Sequence, residues 1–162
     1  MVVAVARRAK WPRHRKGKNM FNCILLTVDL NHPASWKKAL PQAIELARAS
    51  KSKLHIMSVV PDMGTPLVEG FFPDDFEKRA VEAASKALDG LVLKEVPEDV
   101  AVKQHLAFGK IHKQVLKTIE DIKCDLVIMA SHKPDRVREF LVGSNADRVV
   151  RRSPVSVLVV RA

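Results

Sequence analysis

The chain has no tyrosine, only two cysteines, and no apolar run long enough to cross a lipid bilayer as a helix. Cys23 and Cys124 each stand at the start of an apolar run, which is typical of buried thiols in a reducing compartment rather than of a disulfide framework. The six histidines are scattered, and none stands with a cysteine at the spacing of a zinc site. The sequence therefore predicts no metal site and no membrane span.

Acidic residues are missing from residues 1–19, although this segment carries seven lysines and arginines. Most of the net charge of +10 lies there, so the charge of the whole chain is not evidence for a nucleic-acid-binding fold. The segment lacks a periodic apolar pattern, and we expect a disordered extension before one domain over residues 20–162. To explain this basic segment, we favour the interpretation that the natural protein starts at Met20 and that residues 1–19 come from a mis-assigned upstream start. A transit peptide and non-specific contacts with nucleic acid or anionic membrane are the alternatives.

The motifs of common enzyme classes are also lacking. No Gly-x-Ser-x-Gly elbow and no Gly-x-x-x-x-Gly-Lys-Ser/Thr loop occurs in the sequence, and no pair of carboxylates stands out as acid and base. We therefore assign no catalytic residue.

Apolar strand patterns alternate with helical patterns from Asn22 onward. This alternation favours one α/β domain, with a parallel sheet covered by helices on both faces. Pro41 is compatible with the first helix only in or near its first turn. The predicted strands cover residues 23–28, 53–60, 100–107, 126–130 and 155–160, and the predicted helices cover residues 34–50, 74–95, 111–122 and 144–152.

Ligands of such sheets bind beyond the carboxyl ends of the strands, where the strand order reverses. Asp29 leaves the first strand, and the polar stretch 130–146 leaves the fourth. If these strands are neighbours, both belong to one crevice. Asp29 then either contacts a ribose or a metal-bound phosphate, or caps its own turn as a solvated carboxylate.

Gly143-Ser144 opens the last helical pattern and is typical of an anion cradle, because glycine admits close backbone approach and a helix start attracts negative charge. The alternative is a plain helix cap, a role that serine fills well. In either case Ser144 and Asn145 are donors at the helix start. Several cations in the preceding loop either contact a phosphate or only keep the loop soluble: His132, Lys133, Arg136 and Arg138.

Two further segments leave alternatives open. Residues 155–161 form a short apolar strand at the end of the chain, which predicts either a homodimer through an open sheet edge or a buried edge covered by a helix. Phe71-Phe72 lies in the predicted loop over residues 61–73, either as a flap beside the crevice or with both rings in the core edge.

From Met20 to Ala162 the chain resembles the universal stress protein family. The resemblance lies in Ile24-Leu-Leu-Thr-Val-Asp29, in Leu126-Val-Ile-Met-Ala-Ser-His132, in Gly143-Ser144 and in the ending from Val149 to Arg161. The nucleotide loop of the family reads Gly, two residues, Gly, nine residues, Gly and Ser/Thr. This chain keeps the spacing but has alanine and lysine at the first two glycine positions, and it is similar to the small bacterial F/G-type branch.

The resemblance implies a single-domain, three-layer α/β/α fold of the adenine nucleotide alpha hydrolase type, with a five-stranded parallel sheet in the order 3-2-1-4-5. It also implies a cytoplasmic, homodimeric stress-response regulator that binds ATP or AMP, with or without Mg²⁺. The alternatives are a ligand-free interaction protein and a slow ATP hydrolase. By position, Thr27, Val28 and Asp29 would line the nucleoside, Val59 would meet the adenine, Ala130, His132 and Lys133 would lie along the ribose and phosphates, and Gly143, Ser144 and Asn145 would hold the phosphates.

Overall fold

A six-stranded sheet forms the centre of the computed structural model, which describes residues 3–5, 19–61, 76–131 and 143–161. Its strands are β1 (Val3–Val5), β2 (Cys23–Val28), β3 (Lys53–Val60), β4 (Val102–Phe108), β5 (Leu126–Ser131) and β6 (Ser156–Arg161). The α-helices are α1 (Ala39–Ser50), α2 (Phe76–Glu95), α3 (Ile111–Ile122) and α4 (Ser144–Arg152), and a 3₁₀ turn covers Pro33–Ser35.

The strand order is β1-β4-β3-β2-β5-β6. The strands from β2 to β6 are parallel, and among themselves they have the predicted order 3-2-1-4-5, which is therefore confirmed. The sequence did not predict β1, which pairs with β4 in antiparallel fashion and places Ala4 opposite His105. Residues 1–2 and 6–18 of the predicted extension lie outside the described residues.

The strands from β2 to β5 are mostly buried on both faces, as their continuous apolar runs predict. Leu26 and Ile56 pack with α1 and α2 on one face, whereas Leu25, Met57 and Val127 pack with α3 and α4 on the other. The helices thus form two layers around the sheet.

The first predicted helix begins later than expected. The pattern predicts a helix over residues 34–50, whereas α1 begins at Ala39 after the 3₁₀ turn. Pro41 explains the difference, because proline deep inside a helix removes a hydrogen bond and clashes with the preceding turn. In the structure Pro41 lies in the first turn of α1, which confirms its predicted place.

Candidate functional site

A crevice of about 690 Å³ lies beyond the carboxyl ends of β2, β3 and β5. It forms there because β2 pairs with both β3 and β5, so the chain order reverses at this point. Asp29 and Gly143-Ser144 both line it, which confirms that they share one crevice. Its volume falls in the range of about 300–1,000 Å³ that is usual for small-molecule sites. The strands contribute Thr27, Val28, Met57, Val59, Met129 and Ala130 to its lining.

Asp29 caps its own turn at the mouth of the crevice. Asn31 donates its backbone N–H to Oδ1 of Asp29 over 2.9 Å, and Nδ1 of His32 lies 2.9 Å from Oδ2. The Ser35 hydroxyl accepts from the Asp29 N–H at 2.8 Å and lies 3.0 Å from its carbonyl oxygen. The side chain of Asp29 nevertheless stays 50% exposed, and each carboxylate oxygen has a second lone pair. Asp29 therefore caps its own turn, which was one of the two interpretations of this residue. Its exposed carboxylate can still accept a hydrogen bond from a ligand.

The start of α4 lies at the other wall of the crevice and carries no side-chain cap. Gly143, rather than the expected Ser144, is the N-cap, and Ser144 is the first helical residue. The first helical hydrogen bond runs from the Asp147 N–H to the Gly143 carbonyl over 2.9 Å. The earlier N–H groups of α4 therefore have no partner within the helix, and an anion in the crevice would satisfy them. Asn145, half-buried, lies beside them in the lining.

Four alanines of α2 form a wall of the crevice that the sequence pattern did not predict. Their small side chains leave space above β3, and their spacing of three and four residues places them on one helix face. They are Ala80, Ala83, Ala84 and Ala87.

Several predicted residues lie outside the described part of the chain. They are His132, Lys133, Arg136, Arg138 and the pair Phe71-Phe72.

A buried histidine pair lies on the α3 side of the sheet, next to the crevice. His105 on β4 stands opposite Met57 of β3, which lines the crevice, and His55 lies two residues before Met57. Burial, and then the charges of His105, Lys103 and Lys53, lower the pKa of His55 to about 3. Burial and Lys103 lower the pKa of His105 to about 4. Both imidazoles are therefore neutral at pH 7.

The two cysteines are buried in the core between the sheet and α3, as predicted. Burial, with a smaller contribution from Asp125, raises the pKa of the Cys23 thiol to about 11, and burial raises that of Cys124 to about 12. Both side chains are thus protonated thiols, which are poor nucleophiles.

Among the described residues, no three His, Cys, Asp or Glu side chains converge as a metal-binding group. The helices of the described residues also include none that is long and apolar enough to cross a membrane.

The model of the universal stress protein family matches residues 20–161, so the chain belongs to this family. It is 29% identical to universal stress protein G of Shigella flexneri over 144 residues, which cover 88% of this chain and all of that protein.

Solved structures share the fold. The universal stress protein UspA of Lactobacillus plantarum superimposes with a TM-score of 0.67 at 20% identity, over 86% of this chain and 97% of that one. A universal stress protein in complex with cAMP superimposes with a TM-score of 0.56 at 20% identity, over 86% of this chain and 96% of that one.

Proposed function

We propose that the crevice binds an adenine nucleotide, ATP or AMP, and that the protein is a cytoplasmic, homodimeric regulator of a stress response. The observation that carries the proposal is the uncapped start of α4, which faces Asp29 across a crevice at the reversal of strand order. One end of this crevice offers N–H groups that have no partner within α4, and the other offers a carboxylate acceptor and apolar strand ends.

The two ends suit the two parts of a nucleotide. The adenosine lies against Thr27, Val28, Asp29 and Val59, where the carboxylate accepts a hydrogen bond from a ribose hydroxyl. The phosphates lie at Gly143, Ser144 and Asn145, and Ala130 flanks the path between the two ends. A structural neighbour whose described complex contains cAMP supports an adenine nucleotide as the ligand class.

The regulatory part of the proposal requires two states of the protein with different affinities for the nucleotide, since a ligand shifts an equilibrium only by its differential affinity. The crevice joins elements from both helical layers, α2 on one face and α3 and α4 on the other. A nucleotide bound there bridges both layers and thereby favours one arrangement of the two.

Homodimerisation is proposed through β6, which pairs with β5 on one side and forms an edge of the described sheet. Val157, Leu158 and Val159 are only half-buried in the single chain. An apolar strand of this kind favours pairing with a second copy. Sedimentation velocity of the full chain at micromolar concentration tests this, and a monomer would refute it.

The nucleotide proposal is tested by calorimetric titration of ATP and AMP, each with and without Mg²⁺, into the full chain freed of co-purified nucleotide. We expect saturable one-site binding with micromolar affinity, and a rise of the melting temperature with ligand concentration. Absence of both heat and thermal shift for both nucleotides would reject it. GTP at equal concentration is the control for general anion binding, because it carries the same phosphates on a different base.

A further inference from the structure

Four cationic side chains lie near His112 at the start of α3, where this helix packs against α4. Burial lowers the pKa of His112, and the charges of Arg148, Arg152, Lys113 and Lys110 lower it further, in that order. All four cations are exposed, whereas His112 is buried. We call Lys110, Lys113, Arg148 and Arg152 the basic cluster.

The basic cluster is continuous with the crevice along both helices. Ser144, Arg148 and Arg152 follow one another at intervals of four residues, which places them on one face of α4. Ser144 lines the crevice at the top of this face. On α3, Lys110 directly precedes Ile111, which also lines the crevice. The cluster therefore lies next to the residues that line the phosphate end of the proposed site, Ser144 and Ile111.

The charges of the cluster are not neutralised within the described part of the chain. No ion pair of the described residues involves any of its four members, whereas their neighbour Arg151 lies 2.9 Å from a carboxylate oxygen of Asp147. Like charges held together repel one another, and they concentrate anions at the adjacent surface. A ligand with several negative charges would therefore bind to this surface more tightly than a ligand with one negative charge.

We propose that the basic cluster binds the polyphosphate chain of the nucleotide and makes the crevice select for nucleotides with more phosphates. This inference rests on the proposed function, because the adenosine in the crevice directs the chain of phosphates toward α4. Arg148 is the member nearest to Ser144 along the helix face and determines most of the discrimination. A guanidinium at this place donates charge-assisted hydrogen bonds to phosphate oxygens.

The test is a calorimetric titration of AMP, ATP and inorganic tripolyphosphate into the full chain and two matched variants. Arg148→Ala removes a member of the cluster, and Arg151→Ala removes an arginine of the same helix that is paired with Asp147. We expect the unaltered chain to bind ATP about tenfold or more tightly than AMP, since charge-assisted contacts are the strong ones. Arg148→Ala should lower ATP affinity about tenfold and leave AMP affinity within about twofold, while Arg151→Ala changes neither. Lys113→Ala, on the other helix, is the second cluster variant if Arg148→Ala melts early.

The outcomes separate the two proposals. Equal affinity for ATP and AMP, or equal effects of Arg148→Ala and Arg151→Ala, would overturn the inference while leaving AMP binding and the proposed function in place. Tripolyphosphate binding that depends on Arg148, without binding of any adenine nucleotide, would refute the proposed function and with it the role of the cluster in nucleotide selection. The cations of residues 1–19 are the same in every variant, so their contribution cancels in the comparison.

Discussion

His55 and His105 lie end to end across β3 and β4, with 2.6 Å between Nδ1 of His55 and Nε2 of His105. The ring planes differ by 12° and the ring centres are 4.9 Å apart. Two nitrogens approach to 2.6 Å only along an N–H···N hydrogen bond, so the rings are nearly coplanar along this bond rather than stacked face to face. Such a bond requires that at least one ring nitrogen is unprotonated.

Acid should destabilise the protein through this pair. The folded pKa values of about 3 and about 4 lie below the ordinary value of 6.5, so the unfolded chain takes up protons first as the pH falls. The contribution of the pair is fully present above pH 6.5 and is lost progressively toward pH 4 and pH 3. At pH 5 we expect a loss of about 2 kcal/mol for each histidine in the free energy of unfolding, measured by urea denaturation at several pH values.

The matched variant for this prediction is the double change His55→Gln and His105→Gln. Glutamine does not titrate, so the decline in stability between pH 6.5 and pH 5 should flatten, whatever the stability at neutral pH. A decline as steep as in the unaltered chain would assign the acid sensitivity to other groups.

Gly143→Asp should stabilise the free protein and abolish nucleotide binding. Aspartate is a favoured N-cap and interacts well with the helix dipole, which predicts a gain of roughly 0.3–1 kcal/mol. The φ of −52° and ψ of 148° at Gly143 suit a residue with a side chain. The new carboxylate would occupy the place of a phosphate and repel it. Thermal melting with and without ATP measures both effects, and Gly143→Asn is the uncharged control, which should cap the helix with less loss of affinity.

Ala83→Trp should block the crevice without unfolding the protein. Ala83 is exposed on α2 and lines the crevice, so a larger side chain there fills the space proposed for the nucleotide. We expect a drop in AMP affinity of about tenfold or more, measured by calorimetry, because a misplaced ring excludes the ligand sterically. Lys86→Trp adds the same ring at an exposed position of the same helix that does not line the crevice. Equal AMP affinities of the two variants would contradict the assignment of the α2 alanines as a wall of the crevice.

Asp125→Ala should destabilise the fold but leave nucleotide affinity unchanged. Oδ2 of Asp125 accepts the backbone N–H of Asn22 over 2.8 Å and its amide nitrogen over 3.0 Å, and Oδ1 accepts the Cys23 N–H over 3.0 Å. These bonds join β2 to the start of β5 at the end of the sheet opposite the crevice. Losing hydrogen bonds to a charged acceptor predicts a cost of about 2 kcal/mol in urea denaturation. Asp121→Ala, at an exposed position of α3, is the control and should change stability by less than about 0.5 kcal/mol.

Much of the sheet could be predicted from the sequence, and so could the part of the site that Asp29 and Gly143 form. Continuous apolar runs such as 23–28 predict buried parallel strands, and the rule that ligands bind at the carboxyl ends of such strands brings Asp29 and Gly143 together. The strand order came from the family resemblance rather than from the residues themselves. Ala83 and Ala87 recur at helical spacing, a pattern that predicts the helix but not that this face looks onto the crevice.

The remaining features depend on pairings that the sequence does not reveal. The contact between His55 and His105 requires the register in which Met57 stands opposite His105, and nothing in either strand specifies that register in advance. The strand Val3–Val5 is too short for a periodic signal, and only its pairing with β4 reveals it. The basic cluster likewise needs the packing of α3 against α4.

The pairing of β1 with β4 has a consequence for how copies of this chain can associate. A strand at the margin of a sheet offers its outer backbone groups for pairing, and the margins of the described sheet are β6, with six residues, and β1, with three. The antiparallel β1 pairs only with the middle of β4, whereas β6 continues the parallel run of the sheet over its whole length. Three residues near the amino terminus thus make the β4 side of the sheet a short and poor template for a further strand, which leaves β6 as the longer one.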